Sequence, residues 1–275
     1  MEQIKDALNK AKSSQRTATR DMDAASPFKR SQEPSYGQSE HGALNLPHVE
    51  LDCGQLEKNR IVSYEMRDQS HVAFNILRTT VYQIMMENGW KSIAISSPNP
   101  GAGKTTVALN LAFSLARQKQ CKVVVVDLDL RRPAIAKTLG IPVEISIGQY
   151  LTGRVEIQHC MIQIADNLIA IPNVYSEKVS SELMINQRGR DLTEKINDVL
   201  SPDIIIYDLP PTLSSDDAIG FLPYVDCGLI VIGEGDSRYG EVNLCDEQFA
   251  TRTNLIGHVL NKSADKAQAG YHYDD

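Results

Sequence analysis

The stretch Pro100-Gly101-Ala102-Gly103-Lys104-Thr105-Thr106 brings together the residue types that hold a polyphosphate. Glycines let backbone N–H groups turn inward around phosphate oxygens. A lysine at 104 can reach the β- and γ-phosphates, and the hydroxyl of Thr105 can face Mg²⁺. Residues 100–106 are therefore the candidate nucleotide-binding set. The strict pattern G-x-x-x-x-G-K-[ST] asks for glycine at 98, where this chain has Pro98. Two further stretches place carboxylates after apolar runs. Val123-Val124-Val125-Val126 ends in Asp127-Leu128-Asp129-Leu130-Arg131-Arg132-Pro133, and Ile204-Ile205-Ile206 ends in Tyr207-Asp208-Leu209-Pro210-Pro211. Carboxylates beside a phosphate loop suit Mg²⁺ and its waters. One of them could also accept a proton from an attacking hydroxyl.

Those residues work together only if strands deliver them to one edge. Short apolar runs stand at 92–96, 122–127, 168–171, 203–207, 227–232 and 257–260. Helical patterns at 104–119, 180–200 and 237–254 separate several of them. Strand–helix alternation predicts a mostly parallel sheet covered by helices on both faces. In such a sheet the carboxyl ends of the strands converge on the ligand crevice. The strand at 92–96, the glycine turn, Gly-Lys-Thr and a following helix make the context of a phosphate loop. A helix precedes it, with Val72, Phe74, Ile76, Leu77, Val81 and Ile84 as its stripe and Asn88-Gly89 as its stop.

Composition narrows the function class. The chain has 275 residues, 42% of them hydrophobic and 23% charged, which is ordinary globular make-up. A net charge of -7 disfavours a broad basic face for nucleic acid. No apolar run reaches membrane-spanning length, and the first residues lack a signal core, so a cytoplasmic protein is expected. The 5 cysteines show no C-x-x-C spacing and the 6 histidines no metal spacing. Neither G-x-S-x-G nor H-E-x-x-H occurs. Residues 1–49 read as a polar, flexible arm, with Ile4, Ala7, Leu8 and Ala11 sharing one face of a short helix. Residues 50–262 read as one α/β domain and 263–275 as a polar tail.

Taken together, Pro98 to Thr106, Val126 to Pro133 and Ile206 to Pro211 resemble the bacterial tyrosine-kinase family of capsule and exopolysaccharide synthesis. The similarity continues through Ile147-Gly-Gln-Tyr-Leu-Thr-Gly153, Val225-Asp-Cys-Gly-Leu-Ile-Val231 and Leu255-Ile-Gly-His-Val-Leu-Asn261. The resemblance implies a P-loop fold related to the partition and division-site ATPases. It implies ATP and Mg²⁺ as ligands, with Lys104 and Thr105 on the phosphates and metal. It makes Asp127 a metal-associated residue and candidate base, Asp129 an aid to placement, and Asp208 a holder of Mg²⁺. It places Asn261 near adenine. It also implies autophosphorylation on tail tyrosines, here Tyr271 and Tyr273. A separate membrane activator of polysaccharide export would recruit the chain to the inner face of the membrane.

The chain departs from the family pattern in two places. Of the Glu-x-x-Arg-x-x-Arg helix used for ring assembly, only Arg78 remains, so a homo-oligomer would need other contacts. The tail carries Tyr271 and Tyr273 where the family has a tyrosine-rich cluster. A nucleotide-dependent switch or scaffold that leaves tyrosine unmodified is the first alternative. A partition-type positioning ATPase is the second, disfavoured because Asn99 stands where that group carries lysine.

Overall fold

The structure, a computed structural model, describes residues 45–65, 70–177 and 179–263. The short N-terminal helix, the arm up to residue 44 and the acceptor candidates Tyr271 and Tyr273 lie outside the described residues.

Two helices, α1 (Cys53–Lys58) and α2 (His71–Asn88), lead to β1 (Ser92–Ser96) and α3 (Lys104–Ala116). The chain continues through β2 (Val123–Asp127), α4 (Ile135–Leu139), α5 (Ile147–Leu151), β3 (Ile162–Ala165) and β4 (Leu168–Ile171). Three short helices follow: α6 (Ser180–Ile185), α7 (Gln187–Arg190) and α8 (Leu192–Leu200). Then come β5 (Ile204–Asp208), α9 (Asp217–Phe221), β6 (Cys227–Gly233), α10 (Tyr239–Ala250) and β7 (Asn254–Asn261).

The strands form one sheet in the order β3-β4-β2-β5-β1-β6-β7. All pairs are parallel except β3 with β4. This bears out the predicted mostly parallel sheet flanked by helices. β1, β2 and β5 are buried along their whole length, which explains their unbroken apolar runs. Side chains alternate between the faces. Ile93, Ile95, Val123, Val125, Ile204 and Ile206 pack beneath α2 and α3. Ala94, Val124, Val126, Ile205 and Tyr207 pack with Ile196 of α8, Phe221 of α9 and Phe249 of α10.

Four details differ from the sequence reading. The helix expected over 180–200 is three pieces. Asn186 is extended, at φ -68° and ψ 173°, and its side chain caps α7 by accepting from Gly189 N at 2.9 Å. The sequence reading has no strand at β3, an edge strand whose buried Ile162 and Ile164 alternate with half-buried residues and so form no unbroken apolar run like that of β4. On α2 the buried residues are Val81 and Met85, whereas Val72 and Ile76 are exposed. Residues before 50 take part in the domain: Val49 N donates to Gln163 O and Gln163 N to Pro47 O.

Candidate functional site

The loop after β1 is held open by two glycines in the left-handed region, Gly101 and Gly103, each at φ +89°. An L side chain resists that conformation, so glycine is required there for the amides to turn inward. Space adds a second demand at Gly103, where a Cβ would collide with the amide of Asn261. Asn261, at the end of β7, donates Nδ2–H to the Ala102 carbonyl at 2.8 Å. It thus reaches the loop itself. Pro98 accepts Leu213 N through its carbonyl at 3.2 Å, and Ser97 accepts Thr212 N at 2.8 Å. These bonds fasten the loop to the chain leaving β5.

Lys104 opens α3 and is 9% exposed. Its Nζ lies 2.8 Å from Asp129 Oδ2 and 3.7 Å from Asp208 Oδ1. Burial works against its charge, but Asp208 and Asp129 outweigh that, and the lysine pKa rises. Thr105 donates its hydroxyl to Asp208 Oδ2 at 2.6 Å. Asp127 and Asp208 face each other in register at the ends of β2 and β5, both fully buried. Asp127 Oδ2 accepts the amides of Ala134 and Ile135, each at 2.9 Å. Burial and the charge of Asp208 hold the Asp127 carboxyl well above the usual carboxylate range, against the pull of those amides. Burial raises Asp208 likewise, opposed chiefly by Lys104 and Thr105.

One oxygen of each carboxylate, Asp127 Oδ1 and Asp208 Oδ1, is buried with no hydrogen-bond partner. Two carboxylate oxygens that accept no hydrogen bond, beside a threonine hydroxyl, fit a hard cation. Among the described residues no group of three His, Cys, Asp or Glu side chains forms a metal cluster. A carboxylate pair suits Mg²⁺, which keeps several waters and takes phosphate oxygens as ligands.

The structure therefore brings together Lys104, Thr105, Asp127, Asp129 and Asp208, with the loop 100–106 around them. Arg78 lies elsewhere, on α2, half-buried, with its Nε buried and without a hydrogen-bond partner. Three partners that brace the site, Glu241, Asp217 and Ser180, are not legible in the sequence. Asn99 donates to Glu241 Oε2 at 2.8 Å, anchoring the loop to the start of α10. The Arg238 amide and that Asn99 bond lower the Glu241 pKa. Arg131 pairs with Asp217 and Ser180. Each stands in the first turn of a helix, where a polar residue reads as an ordinary helix start, so nothing in the sequence flagged these partners.

The phosphate loop, the acidic ends of β2 and β5 and the strand order define a P-loop nucleotide-binding domain. Residues 90–232 match the family model AAA_31, described as an AAA domain. The chain belongs to that family, and its similarities run to the bacterial tyrosine-kinase family that its motifs resemble. It is 28% identical over 238 residues to the tyrosine-protein kinase etk of Escherichia coli K12, a match covering 86% of this chain and 31% of that protein. It thus spans under a third of that relative's length. The tyrosine-protein kinase YwqD of Bacillus subtilis 168 is 25% identical, over 79% of this chain and 92% of YwqD. The solved kinase domain of Escherichia coli ETK superposes with a TM-score of 0.67 at 26% identity, covering 84% of this chain and 88% of that one.

Proposed function

We propose that the chain is an ATP-dependent protein-tyrosine autokinase that regulates exopolysaccharide or capsule assembly. The observation that carries this is the buried group of Lys104, Thr105, Asp127, Asp129 and Asp208 at one end of the sheet, where Asp127 Oδ1 and Asp208 Oδ1 accept no hydrogen bond and Asp208 Oδ1 has only Lys104 Nζ, 3.7 Å away. The loop amides and Lys104 hold the phosphates of ATP, and Thr105 with Asp208 and Asp127 holds Mg²⁺. The metal, when bound, supplies charge neutralisation on the β- and γ-phosphates. A tyrosine Oη bonds to the γ-phosphorus, the bond from that phosphorus to the bridging oxygen breaks, and ADP leaves. Asp127, with one oxygen free, is the candidate acceptor for the phenolic proton. The rest is positioning, the main source of rate in phosphoryl transfer.

The proposed acceptors are Tyr271 and Tyr273 of a neighbouring copy in a homo-oligomer. From Lys262 to Asp275 an extended chain reaches roughly 45–50 Å, enough to enter a second site. The proposed activator is a separate membrane protein of polysaccharide export, which would place the chain at the inner membrane face. None of the described helices is long and apolar enough to cross a membrane. No nucleic-acid partner is proposed.

The test mixes a Lys104→Met chain with an active chain lacking its tail, in the presence of ATP, Mg²⁺ and the membrane partner. Phosphotyrosine is expected on Tyr271 and Tyr273 of the inactive chain. An unmodified tail with ATP still hydrolysed would replace the kinase reading with that of a slow ATPase switch.

A further inference from the structure

Arg131 sits four residues beyond Asp127, on the same loop as Asp129. Its Nε donates to Asp217 Oδ2 at 2.9 Å and its Nη2 lies 3.3 Å from Asp217 Oδ1, so both carboxylate oxygens are engaged. Ser180, the first residue of α6, donates to Asp217 Oδ2 at 2.7 Å and meets Arg131 Nε at 2.9 Å. Asp217 is 1% exposed and Ser180 0%. A carboxylate so deep in the protein needs this cation, because a buried charge left alone is strongly unfavourable. The loop is held from other sides as well. Ser176 Oγ donates to the Arg131 carbonyl at 2.9 Å, and Glu177 N to the Leu130 carbonyl at 2.8 Å. Arg132 N donates to Asp129 Oδ1 at 3.0 Å.

Asp217 opens α9, on the chain that leaves Asp208. That same chain binds the phosphate loop through Thr212 and Leu213. The Arg131–Asp217 pair therefore closes a ring of contacts through both acidic strand ends and the loop. Asp129 matters most here, because its Oδ2 holds Lys104. When Lys104 turns to phosphate, that contact is lost, and the Arg131 side chain, the Arg132 amide and the Ser176 and Glu177 bonds remain to keep the Asp129 turn in place.

We infer that Asp217 is a positioning residue for phosphoryl transfer: it holds Arg131, and through it keeps Asp129 placed when Lys104 engages phosphate. The inference rests on the phosphoryl-transfer reading above. A group that acts on placement moves turnover more than ground-state nucleotide affinity.

The experiment compares Asp217→Asn, Ser180→Ala, Arg131→Ala and the Arg131→Ala/Asp217→Asn double variant with the wild-type chain. It reads steady-state ATP hydrolysis and hydrogen exchange of amides 128–135. Asp217→Asn should lower kcat about tenfold with KM for ATP within about threefold, and speed exchange in 128–135 by about threefold or more. Ser180→Ala should do the same more weakly, and keeps the test open if Asp217→Asn does not fold. The double variant should be no worse than the poorer single variant, because the two residues act as one unit. Unchanged kcat, a loss confined to KM, or additive losses would overturn the inference. A wild-type chain that hydrolyses no ATP even with the membrane partner present would refute the phosphoryl-transfer reading, and exchange alone then decides: unchanged exchange in the Asp217→Asn chain overturns the inference.

Discussion

Lys104 Nζ and Asp129 Oδ2 are 2.8 Å apart, so the chain neutralises the lysine proposed to bind phosphate. A nucleotide must take that lysine from Asp129. The Asp129→Asn chain should accordingly bind ADP without Mg²⁺ about three- to tenfold more tightly, the worth of a weakened competing charge-assisted bond. Calorimetric titration measures it. Equal or weaker affinity would mean that Asp129 helps to build the empty phosphate site and does not compete for it.

Lys104→Met should abolish nucleotide binding with the fold intact. The ammonium is what faces the carboxylates and the phosphate site, and the methionine stem fills the same buried path. Circular dichroism and nucleotide titration decide it together. Retained affinity in a folded Lys104→Met chain would count against the phosphate loop.

Asp127 and Asp208 lead to a prediction on stability. Both carboxyl pKa values are raised in the folded chain, so folding favours their protonated forms. The sign follows: the stabilisation is complete below the ordinary carboxylate range and is lost as pH rises through the raised values. At neutral pH without Mg²⁺ the charged pair is a cost. Asp127→Asn removes one charge and keeps an oxygen for the Ala134 and Ile135 amides. Its Tm at neutral pH should rise, at ~2–4 °C per kcal/mol for a chain of this size. Its Tm should also fall less steeply with pH. A lower Tm at every pH would show that the carboxylate is stabilising.

The same two residues should divide in function. Asp208→Asn loses charge beside Thr105 and should weaken Mg²⁺-dependent nucleotide binding. Asp127→Asn should cost turnover more than affinity, since its free oxygen is the candidate proton acceptor. Titrations with and without Mg²⁺, set beside hydrolysis rates, separate the two. Indistinguishable variants would remove the division.

Gly101 and Gly103 share φ +89° but not their surroundings. A Cβ at Gly101 meets nothing within 4 Å, whereas at Gly103 it strikes Asn261. Gly101→Ala should cost about 1–2 kcal/mol from the backbone alone. Gly103→Ala should cost about 1–3 kcal/mol more, from overpacking. Asn261→Ala should recover much of that surplus. Denaturant unfolding of the three variants and the Gly103→Ala/Asn261→Ala pair gives the comparison.

The central strands and the chemistry at their ends are legible in the amino-acid sequence. Runs such as Val123-Val124-Val125-Val126 are legible because a strand buried on both faces needs no alternation. Asp127, Asp129 and Asp208 were legible because each follows such a run, and Lys104 because glycines precede it. Local pattern did not reach the break at Asn186, where a side-chain cap overrides a helical periodicity, nor the four-residue β3. Only the tertiary structure decided that Asp127 and Asp208 sit side by side, because β5 lies between β2 and β1 in the sheet though not in the chain. Only it paired Arg131 with Asp217, 86 residues later, and Asn99 with Glu241, 142 later. Such pairs are chosen by the crossovers that return distant loops to one edge. A polar loop residue announces its type in the sequence, but its partner is set by where the sheet delivers the other loop.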